Sequence, residues 1–355
     1  MAKTESKTTK ANLLPPPIHI NPPLLNSANP WATTQEDLEA LFDCPSTGAV
    51  TTRTALLRGF AHDPARHRYA FFDSGTHTVG ITTSVSGGLV GNVSANANAS
   101  LNNMGYSPVT LDEYLGFIEA IVVGGREKEK GEGEGKGVEK LKLFMVSVTG
   151  TPEEVAECYR RIAALAARID APLATEINLS CPNIPGAPPP AYSAEGLGLY
   201  LRAVARATAT GGREEGTCCC DCEVPWGIKI PPYTHAGQFD MLVDALRGEA
   251  LGLGPGGRCP ASFVTATNTL VHPLALGNVA TLRRMFDAYP ETSHVQIIGV
   301  GGVEDAAGYR RMRDVGAAAV GVGTALGRKG VGVFGEIEDG LRALSGDREG
   351  EGVRW

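Results

Sequence analysis

The 355-residue chain lacks any apolar run that approaches the ~20 residues of a membrane-spanning helix. It also lacks an excess of positive charge. The formal net charge is -7 and the pI is about 5.6, so no basic stripe is present to meet the phosphates of nucleic acid. The first ten residues are polar, contain lysines and have no apolar core of the signal-peptide type. We therefore expect a cytosolic protein that spans no membrane and binds no nucleic acid.

Eight cysteines are present, but their spacing is not that of a zinc site. Four of them lie in Cys218-Cys219-Cys220-Asp221-Cys222, and no second cysteine pair or histidine pair stands at a suitable distance from them. In a cytosolic chain of this size, cysteines are more often free thiols than members of a disulfide framework. We predict free thiols, no metal site, and a variable surface loop around Cys218.

Strand-like and helical patterns alternate along the chain. Its length permits one large α/β barrel or two smaller domains. The strand-then-helix pattern repeats about eight times, which indicates a parallel α/β fold. Eight repeats over about 250 core residues favour a (β/α)8 TIM barrel over an open doubly wound sheet. The predicted strands lie at 48–51, 99–102, 143–148, 173–177, 227–230, 262–266, 295–299 and 318–322.

We predict that the barrel domain spans residues 18–344 and begins with a β-hairpin near Ile18 to Leu25. A flexible N-terminal segment (1–17) and a flexible tail (345–355) flank it. Three segments are rich in Gly, Ser, Thr or charged residues, a composition typical of solvated loops. These predicted insertions lie near 73–99, 124–140 and 207–224.

The run from Asn178 to Gly186 concentrates side chains that can do chemistry. It follows the strand at 173–177, so two carboxamides, a hydroxyl and a thiol lie where a strand opens into a loop. The carboxamides offer paired donors and acceptors to a planar ligand that carries amides. The Cys181 thiol can take a proton, and the following prolines stiffen the loop. A polar loop with a buried structural cysteine is the alternative, but the density of polar groups favours a functional site.

Other polar residues also fall at strand ends, where a TIM barrel gathers its chemistry. Glycine pairs follow the last two strands, in Val300-Gly301-Gly302-Val303 and Gly321-Val322-Gly323-Thr324. Glycines let backbone N–H groups approach an anion, and these two loops form the usual phosphate site of the fold. The ligand could be a phosphorylated metabolite or flavin mononucleotide (FMN). Lys229 lies in an apolar strand, and inside a barrel its ammonium would need a partner.

The motifs at 178–186, 227–233 and 297–330 resemble those of the soluble class 1 dihydroorotate dehydrogenases, whose catalytic base is a cysteine. The membrane-bound class 2 enzymes place a serine there. The resemblance extends, with gaps, from about Ile18 to Leu344. It implies a TIM barrel, FMN as cofactor, and oxidation of (S)-dihydroorotate to orotate in pyrimidine synthesis. The class 1A form fits best, a homodimer with fumarate as electron acceptor, since no motif here binds NAD or an iron–sulfur cluster.

The resemblance also implies roles for individual residues. Cys181 would remove the C5 proton of the substrate while a hydride passes from C6 to flavin N5, and Lys229 would contact the flavin ring. The implied substrate-binding residues are Asn102, Met104, Gly105, Tyr106, Asn178, Asn183, Asn268 and Thr269. The implied cofactor-binding residues are Ser27, Ala28, Thr52, Arg53, Asn178, Lys229, Gly301, Gly302, Gly323 and Thr324.

Three segments depart from the family pattern. Thr52-Arg53 stands where many class 1 enzymes carry a lysine, and the segment at 62–66, with a long insertion, replaces a short connection. Only Leu270 and Val271 separate Thr269 from His272, where the family has a longer excursion. Two further hypotheses stay open: a barrel lyase or isomerase that binds a phosphorylated substrate, and a catalytically degenerate paralogue.

Overall fold

Strands and helices alternate along the described part of the chain, which comprises residues 14–83, 97–131, 142–169, 171–183, 186, 188–209, 224–252, 257–268, 272–345 and 355 of this computed structural model. In chain order, the strands are β1 (Leu24–Asn26), β2 (Ala49–Thr51), β3 (Tyr69–Phe72), β4 (Val79–Thr83), β5 (Ala99–Asn102), β6 (Leu143–Val148), β7 (Leu173–Asn178), β8 (Trp226–Ile230), β9 (Phe263–Ala266), β10 (Gln296–Val300) and β11 (Ala319–Val322). The helices are α1 (Gln35–Asp43), α2 (Leu111–Gly131), α3 (Pro152–Ile169), α4 (Ala194–Ala209), α5 (Ala236–Leu251), α6 (His272–Asp287), α7 (Ala306–Asp314), α8 (Thr324–Lys329) and α9 (Gly332–Ser345).

Eight of these strands form a closed parallel barrel, in the order β1-β2-β6-β7-β8-β9-β10-β11. Strand β1 pairs with both β2 and β11 and so closes the ring. Helices follow the strands and cover the barrel from outside, as expected for parallel strands that need crossover connections. The predicted (β/α)8 barrel is confirmed. All strand carboxyl ends therefore open at one mouth.

The predicted N-terminal β-hairpin near Ile18 to Leu25 is wrong. Residues 14–23 contain no strand, and β1 is itself the first barrel strand. Pro22 and Pro23 have no N–H to donate to a hairpin ladder. Ile18 instead pairs with the Gln296 side chain. The Ile18 N–H donates to the Gln296 Oε1 (2.8 Å), and the Gln296 Nε2 donates to the Ile18 carbonyl (3.2 Å).

The predicted barrel strand at 99–102 belongs to a different sheet. Strand β5 pairs antiparallel with β3, and the small sheet has the order β4-β3-β5. Strand β4 lies within the predicted insertion at 73–99, so the start of that segment is strand and not loop. Its Val, Ile and Thr residues favour extended structure and outweigh the loop-like composition around them.

The other predicted insertions are only partly described. Helix α2 continues to Gly131 and so enters the predicted loop at 124–140, and helix α4 reaches Ala209. The remainder of both loops, including the cysteine cluster at 218–222, lies outside the described residues, as do 1–13 and 346–354. The four described cysteines are free thiols. No described helix combines the length and the apolar character required to cross a bilayer.

The barrel interior changes from apolar to polar along its axis. At the amino ends of the strands, Leu25, Leu143, Met145 and Phe263 form a buried apolar cluster with neighbours from other strands. Side chains alternate between the two faces of a strand, so later residues of the same strands face inward again. Those later residues are polar. The apolar floor therefore supports a polar layer directly below the barrel mouth.

Candidate active site

A buried carboxylate lies at the centre of the polar layer. Glu176 on β7 accepts a hydrogen bond from the Ser147 hydroxyl on β6 (2.8 Å) and another from the Thr265 hydroxyl on β9 (2.7 Å). All three residues are buried, and a buried carboxylate requires such donors. The Ser147 hydroxyl also contacts the Thr54 hydroxyl (3.1 Å). Glu176 thereby ties three strands together beneath the site.

Asn178 extends this network into the loop that follows β7. Its amide donates to the Thr54 hydroxyl (2.8 Å), and its carbonyl oxygen accepts from both the hydroxyl (2.6 Å) and the backbone N–H (3.1 Å) of Ser180. The Asn268 amide then donates to the Ser180 carbonyl (3.2 Å). These bonds fix the start of the loop, and they leave Asn178 with one amide N–H for a ligand.

Cys181 follows directly in this loop and lies half-buried at the mouth. Burial raises the pKa of its thiol, because the thiolate loses hydration. The Asn183 backbone N–H, the Tyr106 hydroxyl and the cations Lys229 and Arg53 all oppose that shift. The net pKa stays above the ordinary thiol value of 9.0, so the thiol form predominates at neutral pH.

Arg53 brings a buried positive charge to the same place. Its Nη2 donates to the backbone carbonyls of Met104 (3.4 Å), Gly105 (3.4 Å) and Tyr106 (3.0 Å), while its Nη1 is buried and has no hydrogen-bond partner among the described residues. Burial lowers the pKa of Arg53 to about 10, so the guanidinium is still charged at neutral pH. The residue holds the 104–106 segment against the barrel and keeps one N–H group unused.

Lys229 supplies a second cation from the barrel wall. It is 4% exposed and lies in register with Asn178 on β7 and Thr265 on β9. Its ammonium makes no hydrogen bond or ion pair with the described residues, and it lines the open mouth. An isolated buried ammonium is costly, so this side chain points to an electron-rich or anionic ligand.

These side chains surround one cleft of about 210 Å3 at the mouth of the barrel. The cleft brings together most of the predicted site residues from seven separate segments of the chain. Those that line it are Ser27, Ala28, Arg53, Asn102, Met104, Gly105, Tyr106, Asn178, Cys181, Asn183, Lys229, Asn268, Gly323 and Thr324.

Three predicted cofactor residues do not line the cleft, and Thr269 lies outside the described residues. Thr52 is fully buried, and its hydroxyl accepts from the Ser147 backbone N–H (3.1 Å). Gly301 and Gly302 have φ values of 142° and 64°, which favour glycine. A Cβ at Gly301 would also lie 2.6 Å from the Ala275 Cβ, so this glycine lets α6 pack closely against the loop.

The small sheet contributes cleft residues that the sequence did not reveal. Trp31 lies between Tyr69 (ring centroids 5.4 Å apart, edge-on) and Phe71 (5.5 Å, stacked), and both Trp31 and Tyr69 line the cleft. The Ser100 hydroxyl on β5 bonds the Thr324 hydroxyl at the end of β11 (2.7 Å). The aromatic run at 69–72 was the one sequence feature that could have indicated this sheet. The sheet therefore closes one side of the barrel mouth.

Comparisons with known proteins agree with this architecture, although no protein-family model matches the chain. The dihydroorotate dehydrogenase (fumarate) of Trypanosoma cruzi is 26% identical over 349 residues, which is 90% of this chain and 88% of that protein. A protein of Streptococcus agalactiae, a putative dihydroorotate dehydrogenase A (fumarate), is 23% identical over 92% of this chain and 90% of its own length. Over about nine-tenths of its length, the chain is therefore similar to dihydroorotate dehydrogenases of the fumarate type.

A solved structure of this family also shares the fold. The ligand-free dihydroorotate dehydrogenase of Eimeria tenella superposes with a TM-score of 0.64 at 14% identity, covering 92% of this chain and 84% of that one. The family resemblance inferred from the motifs is therefore confirmed.

Proposed function

We propose that the protein oxidises (S)-dihydroorotate to orotate, with bound FMN as cofactor and fumarate as electron acceptor, in de novo pyrimidine synthesis. The observation that carries the proposal is the convergence of the Cys181 thiol with two buried cations, Arg53 and Lys229, in one cleft lined by asparagines. The names of the relatives, which specify fumarate, support the choice of acceptor. A homodimer and a cytosolic location stay predictions from the sequence.

The cleft has features that suit FMN. Lys229 offers an electron-rich ring an ammonium that has no partner among the described residues, and Ser27 and Ala28 line the same cleft where β1 ends. Gly323 and Thr324 also line the cleft, and the missing Cβ of Gly323, which would lie 3.2 Å from the Ser27 Oγ, lets these two segments approach closely. We propose that these residues hold the flavin and its phosphate. Bound FMN would supply the two-electron acceptor that no amino-acid side chain provides.

The polar residues of the loops would orient the pyrimidine. The Asn183 side-chain amide donates to the side-chain Oδ1 of Asn102 (3.3 Å), so the two side chains form one polar edge of the cleft. Asn178 and Asn268 both bond Ser180 and line the same cleft. Carboxamides match the ring amides of the substrate, and the buried Arg53 guanidinium matches its carboxylate.

In this arrangement, Cys181 acts as the base. Its thiolate removes the C5 proton and becomes a thiol, while Arg53 and Lys229 favour the ionised sulfur. The apolar floor and the fixed loop keep the thiol close to the ligand and away from bulk water. The lyase or isomerase hypothesis receives less support, because the relatives carry the name of dihydroorotate dehydrogenases.

The absorbance spectrum tests the proposal. We expect purified protein reconstituted with FMN to be yellow, with a band near ~450 nm that bleaches when dihydroorotate is added without oxygen. Fumarate should then restore the band, because it reoxidises the flavin.

Three failures are distinguishable in this experiment. A folded protein that takes up no FMN indicates a degenerate paralogue or a flavin-free barrel enzyme. A yellow protein that dihydroorotate does not bleach refutes the substrate, and a bleached protein that fumarate does not reoxidise refutes the acceptor alone.

A further inference from the structure

Thr54 lines the cleft, although it was not among the residues predicted from the sequence. Its hydroxyl accepts a hydrogen bond from the side-chain amide of Asn178 (2.8 Å) and contacts the hydroxyl of Ser147 (3.1 Å). Thr54 is only 5% exposed, so its hydroxyl depends on such partners within the protein. The residue therefore connects a cleft asparagine with the polar layer beneath the site.

The direction of each hydrogen bond in this series can be assigned. The Ser147 hydroxyl donates its one proton to the Glu176 carboxylate (2.8 Å), so it can only accept from Thr54. The Thr54 hydroxyl must then donate to Ser147 and accept from Asn178. The series of donors begins at Asn178, continues through Thr54 and Ser147, and ends at a buried carboxylate.

The other end of the Asn178 side chain is fixed in the same sense. Its Oδ1 accepts from the Ser180 hydroxyl (2.6 Å) and from the Ser180 backbone N–H (3.1 Å), which can only donate. A reversed carboxamide would direct its NH2 group at that N–H and would leave Thr54 without its donor. Among the described residues, the second Nδ2–H is the one hydrogen-bonding group of this side chain that has no partner.

We propose that Thr54 is a positioning residue, which holds the Asn178 carboxamide so that its remaining N–H faces the cleft and donates to a ring carbonyl oxygen of the ligand. Asn178 lines the cleft, and an amide N–H requires an acceptor. Flavin and pyrimidine rings both carry carbonyl oxygens. The proposal rests on the proposed function only for the identity of that ring.

Thr54 has a different role from Ser180 in this arrangement. The bonds to Ser180 join residues two positions apart in one loop, whereas Thr54 belongs to the segment after β2. The Thr54 hydroxyl is fixed in turn by Ser147 on β6 and, through it, by Glu176 on β7. The bond to Thr54 therefore refers the position of the carboxamide to the barrel wall. A fixed donor loses less conformational entropy when the ligand binds.

The first test measures hydrogen exchange of the Asn178 side-chain amide by NMR in the full chain labelled with [15N]asparagine. The signal is identified by its absence in Asn178→Ala. Thr54→Val retains the branched shape and removes the hydroxyl, so we expect exchange to become about tenfold faster, the effect of losing one hydrogen bond. Thr54→Ser restores the hydroxyl and should restore slow exchange.

The matched control is Thr175→Val, which makes the same chemical change at a fully buried threonine of β7. The Thr175 hydroxyl has no hydrogen-bond partner among the described residues, so exchange at Asn178 should stay as in the wild type. Unchanged exchange in Thr54→Val, or equal acceleration in both valine variants, would overturn the proposal. This measurement needs neither FMN nor substrate, so its outcome is independent of dihydroorotate oxidation.

The second test identifies the ring that the N–H meets. In Thr54→Val, either the Kd for FMN, from flavin fluorescence, or the Kd for orotate, from the flavin absorbance band, should rise roughly 5–10-fold. Adding Thr54→Val to Asn178→Ala should cause no further loss, because Thr54 acts through Asn178. Two fully additive losses would contradict the proposal.

Asn178→Asp tests the donor itself and does not depend on the folding of Thr54→Val. This change conserves the shape of the side chain but replaces the N–H donor with an acceptor. It should weaken binding of the same ligand at least as much as Asn178→Ala does. Affinity equal to that of the wild type would show that the ligand needs no donor here, and the proposal would fail.

Discussion

Cys181→Ala protein should bind FMN like the wild type and oxidise dihydroorotate about 10²–10⁴-fold more slowly, the contribution typical of a positioned general base. The sulfur lies in the cleft and the loop that carries it is fixed by Asn178 and Ser180, so loss of the thiol leaves the surrounding hydrogen bonds in place. Anaerobic bleaching of the flavin band by dihydroorotate measures the chemical step directly. Cys181→Ser should retain little activity, because a serine hydroxyl is a far weaker base.

The pH dependence separates a base from a merely well-packed thiol. Burial raises the pKa of Cys181 above its ordinary value, so the reactive thiolate increases as pH rises through and beyond neutrality. Wild-type activity should therefore increase with pH over the alkaline range, while the residual activity of Cys181→Ala should lack that rise. Cys44→Ala is the control, since Cys44 is a free thiol that does not line the cleft. Full activity in either Cys181 variant would remove this residue from the mechanism.

The barrel could be predicted because most of its strands are short apolar runs followed by helices, as in 143–148 and 173–178. Strand β1 was missed since it has only three residues and follows two prolines. The small sheet was missed because its strand β4 is set among Gly, Ser and Thr residues that are typical of loops. Strand β4 pairs antiparallel with β3, which in turn pairs with β5, and local composition does not reveal this pairing.

The site was predictable to the extent that it lies at strand ends. Asn178, Cys181 and Lys229 were found from that rule, and all three line the cleft. Glu176 was not found, because its partners Ser147 and Thr265 come from other strands and meet it only after the barrel closes.

Arg53→Met tests whether the buried guanidinium serves ligand binding or stability. The guanidinium is buried at a cost, as its lowered pKa indicates, and its bonds to three carbonyls offset that cost. Arg53→Met removes that cost but leaves the three carbonyls without their donor, so the free energy of unfolding should fall by about 1–3 kcal/mol. The larger loss should appear in function, because Nη1 and the positive charge disappear from the cleft. We expect the KM for dihydroorotate to rise roughly 10–100-fold, the range given by ~1.5–3 kcal/mol for a hydrogen bond to a charged group.

The matched variants decide which property of Arg53 matters. Arg53→Lys keeps the charge and loses the planar fork, so it should recover part of the substrate affinity and none of the three-carbonyl contact. Arg58→Met alters an exposed arginine five residues further on and should change neither KM nor unfolding. Steady-state kinetics and denaturant unfolding provide the two readouts. A stability loss of several kcal/mol in Arg53→Met with an unchanged KM would assign the residue to the fold, and Lys229 would then be the cation left to meet the anionic ligand.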